Sequence, residues 1–97
     1  MNQTAMGPDR AETVALKALA FVAGDEELAG QFAGATGASL SDARERVGDP
    51  VFLASVLEFL TMEDRWIVRF CDAEGLAYDE PMKALMSLPG NMRPEWP

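Results

Sequence analysis

The amino-acid sequence predicts an all-α fold, a compact six-helix domain with helices 1 and 4 at its centre. No segment alternates polar and apolar residues with the period of two that a strand needs, and glycines and N-cap residues divide the chain into six helical segments. The chain also resembles itself at a shift of 38 residues, which places Leu19 on Leu57, Phe32 on Phe70 and Gly37 on Gly75. Two interpretations explain this match: two similar three-helix halves, or an ordinary bundle whose helices are evenly spaced.

Helices 1 and 4 are the most apolar segments, and each is expected to be buried. Helix 1 is predicted over residues 10–23, after a capping box that begins at Asp9, with Gly24 as a left-handed stop. Helix 4 is predicted to end at Leu60 and to begin at Asp49-Pro50, an N-cap followed by proline at the first helical position. Its predicted core residues are Val51, Phe52, Leu53, Val56, Leu57, Phe59 and Leu60.

Helix 2 is predicted to begin at an Asp25 cap and to end at Gly37. Gly30 and Gly34 lie inside it and indicate either the close approach of another helix or simple tolerance of glycine. Its predicted inward-facing residues are Leu28, Ala29, Phe32 and Ala35 or Thr36. A short helix 3 is predicted over residues 41–47.

The ends of helices 5 and 6 are predicted from the same kinds of capping residue and helix stop. Thr61 and Asp64 resemble a second capping box before helix 5, which Gly75 should end. Asp79 is predicted to cap helix 6, which ends at Pro89-Gly90. The predicted inward-facing residues of helix 5 are Trp66, Ile67, Phe70 and Ala73 or Cys71.

The length of 97 residues and the hydrophobic share of 48% predict one domain, over residues 9–90, with a core of its own. Residues 1–8 and 91–97 are rich in polar residues and helix breakers, so we expect them to be mobile.

The net charge of −8 argues against binding to nucleic acid or to an anionic membrane, because both carry negative charge. The first residues lack the basic and apolar regions of a signal peptide, and no apolar stretch is long enough to span a bilayer. A single cysteine cannot form an internal disulfide. We therefore expect a cytoplasmic protein.

The residue types argue against catalysis. The chain has no histidine, which excludes Ser-His-Asp and Cys-His nucleophilic schemes, and one cysteine excludes a thiolate zinc site. The acidic clusters Asp25-Glu26-Glu27 and Glu63-Asp64 lie in the first turns of predicted helices, where acids are common without any metal. Cys71 is either a reactive thiol or a small apolar residue at the edge of the core, and the second interpretation is favoured. The sequence therefore predicts no enzyme, no cofactor and no metal.

Six residues are candidates for binding a protein partner: Arg65, Arg69, Met82, Met86, Met92 and Trp96. The two arginines lie one turn apart and, with Arg44 and Arg46 of helix 3, could form a small basic patch; the alternative is an ordinary charged outer face. Methionine surfaces adapt to varied partners, and tryptophan is frequent among residues that dominate interface energies. The alternative is that Met82 and Met86 belong to the core.

The segment from Thr13 to Gly90 resembles a known family. The residues that carry the resemblance are Ala18-Leu19-Ala20-Phe21, Asp25, Phe32, Thr36-Gly37, Asp49-Pro50-Val51-Phe52-Leu53, Val56-Leu57-Glu58-Phe59-Leu60, Phe70, Glu74-Gly75-Leu76 and Leu88-Pro89-Gly90. They are similar to a family of short alphaproteobacterial proteins, the domain of unknown function 3572. The resemblance implies a cytoplasmic bacterial protein with a helical fold, and no activity, cofactor or catalytic residue.

Three hypotheses of function follow from the residues. The first is a small acidic interaction module that binds a protein partner of unknown identity. The second is a homodimer or larger homo-oligomer, because one short chain could fail to cover two nearly all-apolar helices. The third is an enzyme or small-ligand carrier that uses surface carboxylates, for which the support is weakest.

Overall fold

A computed structural model of the chain describes residues 7–37 and 43–88. Its elements are α1 (Pro8–Ala23), α2 (Glu26–Thr36), α3 (Ala43–Arg46), α4 (Pro50–Leu60), α5 (Asp64–Glu74) and α6 (Glu80–Ser87). The described residues contain no strand, which confirms the all-α prediction. In this part of the chain, no helix is both long enough and apolar enough to cross a membrane.

The predicted count of six helices is wrong. The described residues form five helices of eight or more residues, while α3 is a single turn of four residues. A helix this short gains few internal hydrogen bonds and needs burial to persist. Ala43 is only partly buried, and Val47, the last residue of the predicted helix 3, is 40% exposed. Residues 41 and 42 of the predicted helix lie outside the described residues.

Four predicted helix ends are confirmed. The carboxylate of Asp25 accepts hydrogen bonds from the backbone N–H groups of Glu27 and Leu28, and Asp49 accepts one from Val51. These bonds satisfy donors that the first turn of a helix leaves unpaired. At the other ends of α2 and α5, Gly37 and Gly75 adopt the left-handed conformation, with φ of 74° and 69°.

The predicted capping boxes and the left-handed stop at Gly24 are wrong. α1 begins at Pro8 rather than after Asp9, because proline lacks the N–H that would need a cap. Thr61 ends α4 instead of opening α5, and its hydroxyl donates to the carbonyl of Glu58. Gly24 has φ of −83°, and a Cβ there would lie 3.2 Å from the carbonyl oxygen of Ala20. Close approach of the backbone therefore favours glycine at position 24.

Asp79 occupies the N-cap position of α6 as predicted, but its carboxylate makes no capping hydrogen bond among the described contacts. It forms an ion pair with Lys83 one turn later, at 3.2 Å. The position was predicted correctly, and the capping role was not.

The core lies where α1 and α4 meet the other helices. Every pair of helices with extensive contact includes α1 or α4, and α1 packs most extensively on α6 and α4. Phe32 of α2 is fully buried and meets Phe52 and Phe59 of α4 edge-on, with ring centroids 6.1 and 5.4 Å apart. The radius of gyration is 12.9 Å, as a compact domain of this length requires.

Candidate functional site

One concave surface of the described residues is a groove between α2 and α4, which we call the α2–α4 groove. It consists of two adjoining hollows of about 220 and 270 Å³ that share Thr36 and Ser55. The first hollow is lined by Thr36, Gly37, Arg46, Val51, Phe52 and Ser55. The second is lined by Ala35, Thr36, Ser55, Glu58, Phe59 and Met62.

The groove exists because α2 buries only two residues, Leu28 and Phe32. Beyond Phe32 the helix carries small residues to its end, and a Cβ added at Gly34 would meet no atom within 4 Å. Gly37 then ends the helix with a positive φ. The last turn of α2 therefore has no bulky side chain to close the space beside α4. The predicted close approach of another helix at Gly30 and Gly34 is wrong, since both positions are open.

Large apolar side chains lie at both ends of the groove. Val51, at the start of α4, is 59% exposed, and Met62, just after its end, is 66% exposed. The floor between them is formed by the nearly buried rings of Phe52 and Phe59. Met62 is eleven positions after Val51, which corresponds to about 17 Å, or three turns, at the rise of an α-helix.

Charged residues of opposite sign line the two hollows. The guanidinium of Arg46 lies over the ring of Phe52, 4.8 Å from its centroid, in the first hollow. The carboxylate-bearing Glu58 lines the second hollow. The groove is therefore lined by apolar residues and by charged residues of both signs.

The candidate arginines of α5 are engaged in ion pairs. Arg65 lies 3.4 Å from Glu63 and is largely exposed. Arg69 lies 3.1 Å from the carboxylate of Asp25 and over the ring of Phe21, at 6.0 Å from its centroid. Arg69 thus links α5 to the start of α2 and the end of α1, whereas Arg46 belongs to the α2–α4 groove.

The environment of Asp25 lowers its pKa below the ordinary value of 3.8. The largest cause is the hydrogen bond from the backbone N–H of Leu28, and the Arg69 guanidinium and the N–H of Glu27 add to it against partial desolvation. Asp25 is therefore a structural carboxylate, a helix cap and an ion-pair partner. In residues 7–37 and 43–88, no three carboxylate or thiol side chains are grouped so that they could hold a metal.

The candidate methionines of α6 are at the surface. Met82 is 45% exposed and Met86, one turn later, is 69% exposed, so neither belongs to the core. They remain candidates for binding a partner, although neither lines one of the concave surfaces described here. The other two candidates, Met92 and Trp96, lie outside the described residues. The same holds for all of the predicted mobile segment 91–97 and for residues 1–6 of the predicted mobile segment 1–8.

Cys71 lies beneath a shallow hollow of about 260 Å³ at the α5–α6 connection. Its thiol is fully buried and donates to the carbonyl oxygen of Ala77 at 3.4 Å. Burial raises the pKa of Cys71, and the nearby carboxylates of Glu80 and Asp72 raise it further. These surroundings favour the neutral thiol over the nucleophilic thiolate, as expected for a residue of the core edge.

Sequence reasoning missed the α2–α4 groove. It placed Val51 in the core and Ala35 or Thr36 on the inner face of α2, whereas all three are exposed, and it gave Met62 no role. One signal could have pointed to the groove: Ala33-Gly34-Ala35-Thr36-Gly37 offers almost no side-chain volume opposite the apolar helix 4.

Comparison with known proteins identifies the chain at the level of a family. Residues 8–91 match the family model described as "Protein of unknown function (DUF3572)", which confirms the family resemblance inferred from the sequence. No curated protein and no solved structure matches the chain.

Proposed function

This chain belongs to the family of proteins of unknown function DUF3572, and we propose that it is a protein-interaction module that binds an amphipathic helix of another protein in the α2–α4 groove. The proposal rests on one observation: two adjoining hollows, lined by apolar and charged residues, lie along α4 between the exposed side chains of Val51 and Met62. Helix-binding grooves use apolar contacts spaced by one helical turn. About three turns of a partner helix would fit along this groove.

The proposed partner segment carries basic residues. The net charge of −8 attracts a basic partner and accelerates its association. Arg46, whose guanidinium lies over the ring of Phe52 in the first hollow, would meet a carboxylate at one end of the partner helix. This contact would favour one direction of helix binding.

Formation of a homo-oligomer is the second candidate function, but the argument for it from the two apolar helices is weakened. That argument required α1 and α4 to present more apolar surface than one chain could cover. Within one chain, however, six residues of α1 and seven residues of α4 are already buried. The exposed apolar residues that remain are those of the groove and of other helix surfaces, which fits a partner of moderate affinity better than a shared core. The proposal assigns no catalytic role and places the protein in the bacterial cytoplasm.

Affinity purification from the native host tests the proposal with two matched variants. Met62→Glu places a charge at the end of the groove, whereas Met86→Glu places the same charge on α6 at a position of similar exposure. Both positions are exposed, so neither variant should destabilise the domain by more than about 0.5 kcal/mol. Quantitative mass spectrometry would compare the proteins retained by each variant with those retained by the wild type.

We expect a stoichiometric partner that is retained by Met86→Glu and lost with Met62→Glu. A synthetic peptide covering a basic amphipathic helix of that partner should bind the wild type and bind Met62→Glu at least tenfold more weakly. Loss with Met86→Glu alone would place the binding surface on α6 and contradict the groove. Failure of the wild type to retain any partner would contradict the interaction module itself.

A further inference from the structure

α2 is the long helix with the least buried surface. It buries two of its eleven residues, Leu28 and Phe32, whereas α4, which has the same length, buries seven. Among the described helices of eight or more residues, no other buries so small a share of its residues. Because burial of an apolar face supplies most of the stability of a helix in a protein, α2 should separate from the core more readily than α1 or α4.

Two glycines weaken α2 further. Gly30 and Gly34 lie in its interior, where each lowers the equilibrium for helix formation about fivefold relative to alanine. A Cβ at either position would meet no atom within 4 Å, so close packing among the described residues does not require glycine there. A helix of this length with two interior glycines is not stable by itself, so α2 should unfold when it leaves the core.

One aromatic side chain contributes much of the attachment of α2. The ring of Phe32 is fully buried and meets Phe52 and Phe59 of α4 edge-on. At the start of the helix, Asp25 lies 3.1 Å from Arg69, but the arginine side chain is 54% exposed, and exposed ion pairs contribute little to stability. Release of Phe32 together with Leu28 would therefore free α2 from the core.

We propose that α2 is a movable wall of the α2–α4 groove, which opens as one unit while α1, α4, α5 and α6 stay folded. Opening removes Phe32 from the rings of Phe52 and Phe59 and so exposes a wider apolar surface along α4. A partner helix that binds this wider surface would shift the population toward the open state. This last consequence rests on the proposed function, whereas the opening itself is a property of the free protein.

Native-state hydrogen exchange of the full-length protein, measured by nuclear magnetic resonance without any partner, tests the inference. Exchange of amide hydrogens reports the opening of each helix, because a unit that opens together shares one opening equilibrium. We expect the amides of residues 29–37 to exchange at least tenfold faster than those of α1 and α4, after correction for intrinsic rates. Their rates should also share one dependence on low urea concentrations, less steep than that of global unfolding, because opening of α2 exposes less surface.

A substitution in the core but away from α2 separates local opening from global unfolding. Leu85 of α6 is buried, and α6 packs mainly on α1 and α4. Leu85→Ala should accelerate exchange in α1 and α4 at least tenfold, because it destabilises the core. It should leave exchange in α2 unchanged, since α2 opens while the core is intact. Leu85→Val makes the same test with a smaller loss of stability if Leu85→Ala does not fold.

A matched pair of helix-favouring substitutions tests α2 itself. Gly34→Ala should slow exchange throughout α2 about fivefold, because alanine stabilises the helix at an open position. Val68→Ala also favours a helix, at an exposed interior position of α5, and should leave exchange in α2 unchanged.

Three results would overturn the inference. One is exchange of α2 at the same rates and with the same urea dependence as α4. Another is an acceleration of α2 by Leu85→Ala that equals the acceleration of α4, since α2 would then exchange only through global unfolding. The third is a different rate at each α2 amide without any urea dependence, which indicates fraying of single residues. Common, fast exchange of α2 in a protein that retains no partner would support the movable wall and contradict the proposed function.

Discussion

Replacement of Gly75 by valine should destabilise the domain much more than the same replacement at Gly34. Gly75 ends α5 with φ of 69° and ψ of 34°, whereas Gly34 lies inside α2. At both positions a Cβ would meet no atom within 4 Å. The two variants therefore compare backbone conformations without any difference in steric clash.

The expected magnitudes follow from those conformations. The left-handed conformation costs a residue with a Cβ about 1–2 kcal/mol, and a β-branched residue lies at the upper end of that range. At Gly34 the backbone is already helical, and valine is favoured over glycine there by a few tenths of a kcal/mol. We therefore expect the two variants to differ by about 2 kcal/mol in the free energy of unfolding.

Thermal and urea unfolding, followed by far-ultraviolet circular dichroism, would measure the difference. For a domain of this size, about 2 kcal/mol corresponds to a difference of roughly 8–15 °C in Tm. Gly75→Asn provides the control, because asparagine adopts the left-handed conformation more readily than valine and should recover part of the lost stability. Equal effects of valine at the two positions, or equal damage by asparagine and valine at Gly75, would refute the assigned helix ends.

Three further outcomes are expected. Because folding lowers the pKa of Asp25, its ionised carboxylate stabilises the fold; this stabilisation is complete above the ordinary pKa of 3.8 and is lost as the pH falls through the lower pKa of the folded state. Asp25→Asn should therefore flatten the acid limb of a stability–pH curve. An unchanged curve would contradict the capping role. Phe32→Ala should destabilise by about 3–5 kcal/mol in urea unfolding, whereas Val68→Ala at the surface should change stability by less than about 1 kcal/mol. The buried thiol of Cys71 should react with a disulfide reagent at pH 8 at least a hundredfold more slowly in the folded than in the urea-unfolded protein, and equal rates would contradict its burial.

Local signals in the sequence predicted those helix ends that depend on one residue. Asp25 and Asp49 cap helices through their own carboxylates, and Gly37 and Gly75 have the positive φ that favours glycine. Gly24 looked the same in sequence and differs in structure, because only one residue separates α1 from the Asp25 cap and leaves no room for a left-handed turn. Whether the glycine at a helix end adopts the left-handed conformation therefore depends here on the helix that follows and not on the glycine itself.

Packing between helices limited the prediction of the site. Val51 belongs to an almost wholly apolar helix, and nothing in its local sequence distinguishes it from Phe52 and Leu53. Its exposure follows from the small residues of α2 and from the reduction of α3 to one turn, and both effects require the three-dimensional arrangement. The duplication of two halves stays a prediction.

Photo-crosslinking in the native host would test the α2–α4 groove most directly. A benzoylphenylalanine would replace either Val51 in the groove or Met86 on α6, two exposed positions at which the larger side chain has access to solvent. The account predicts that position 51 crosslinks to one protein, through a basic amphipathic helical segment, and that position 86 does not. Crosslinks from position 86 alone, or from position 51 only to a second copy of this chain, would contradict it.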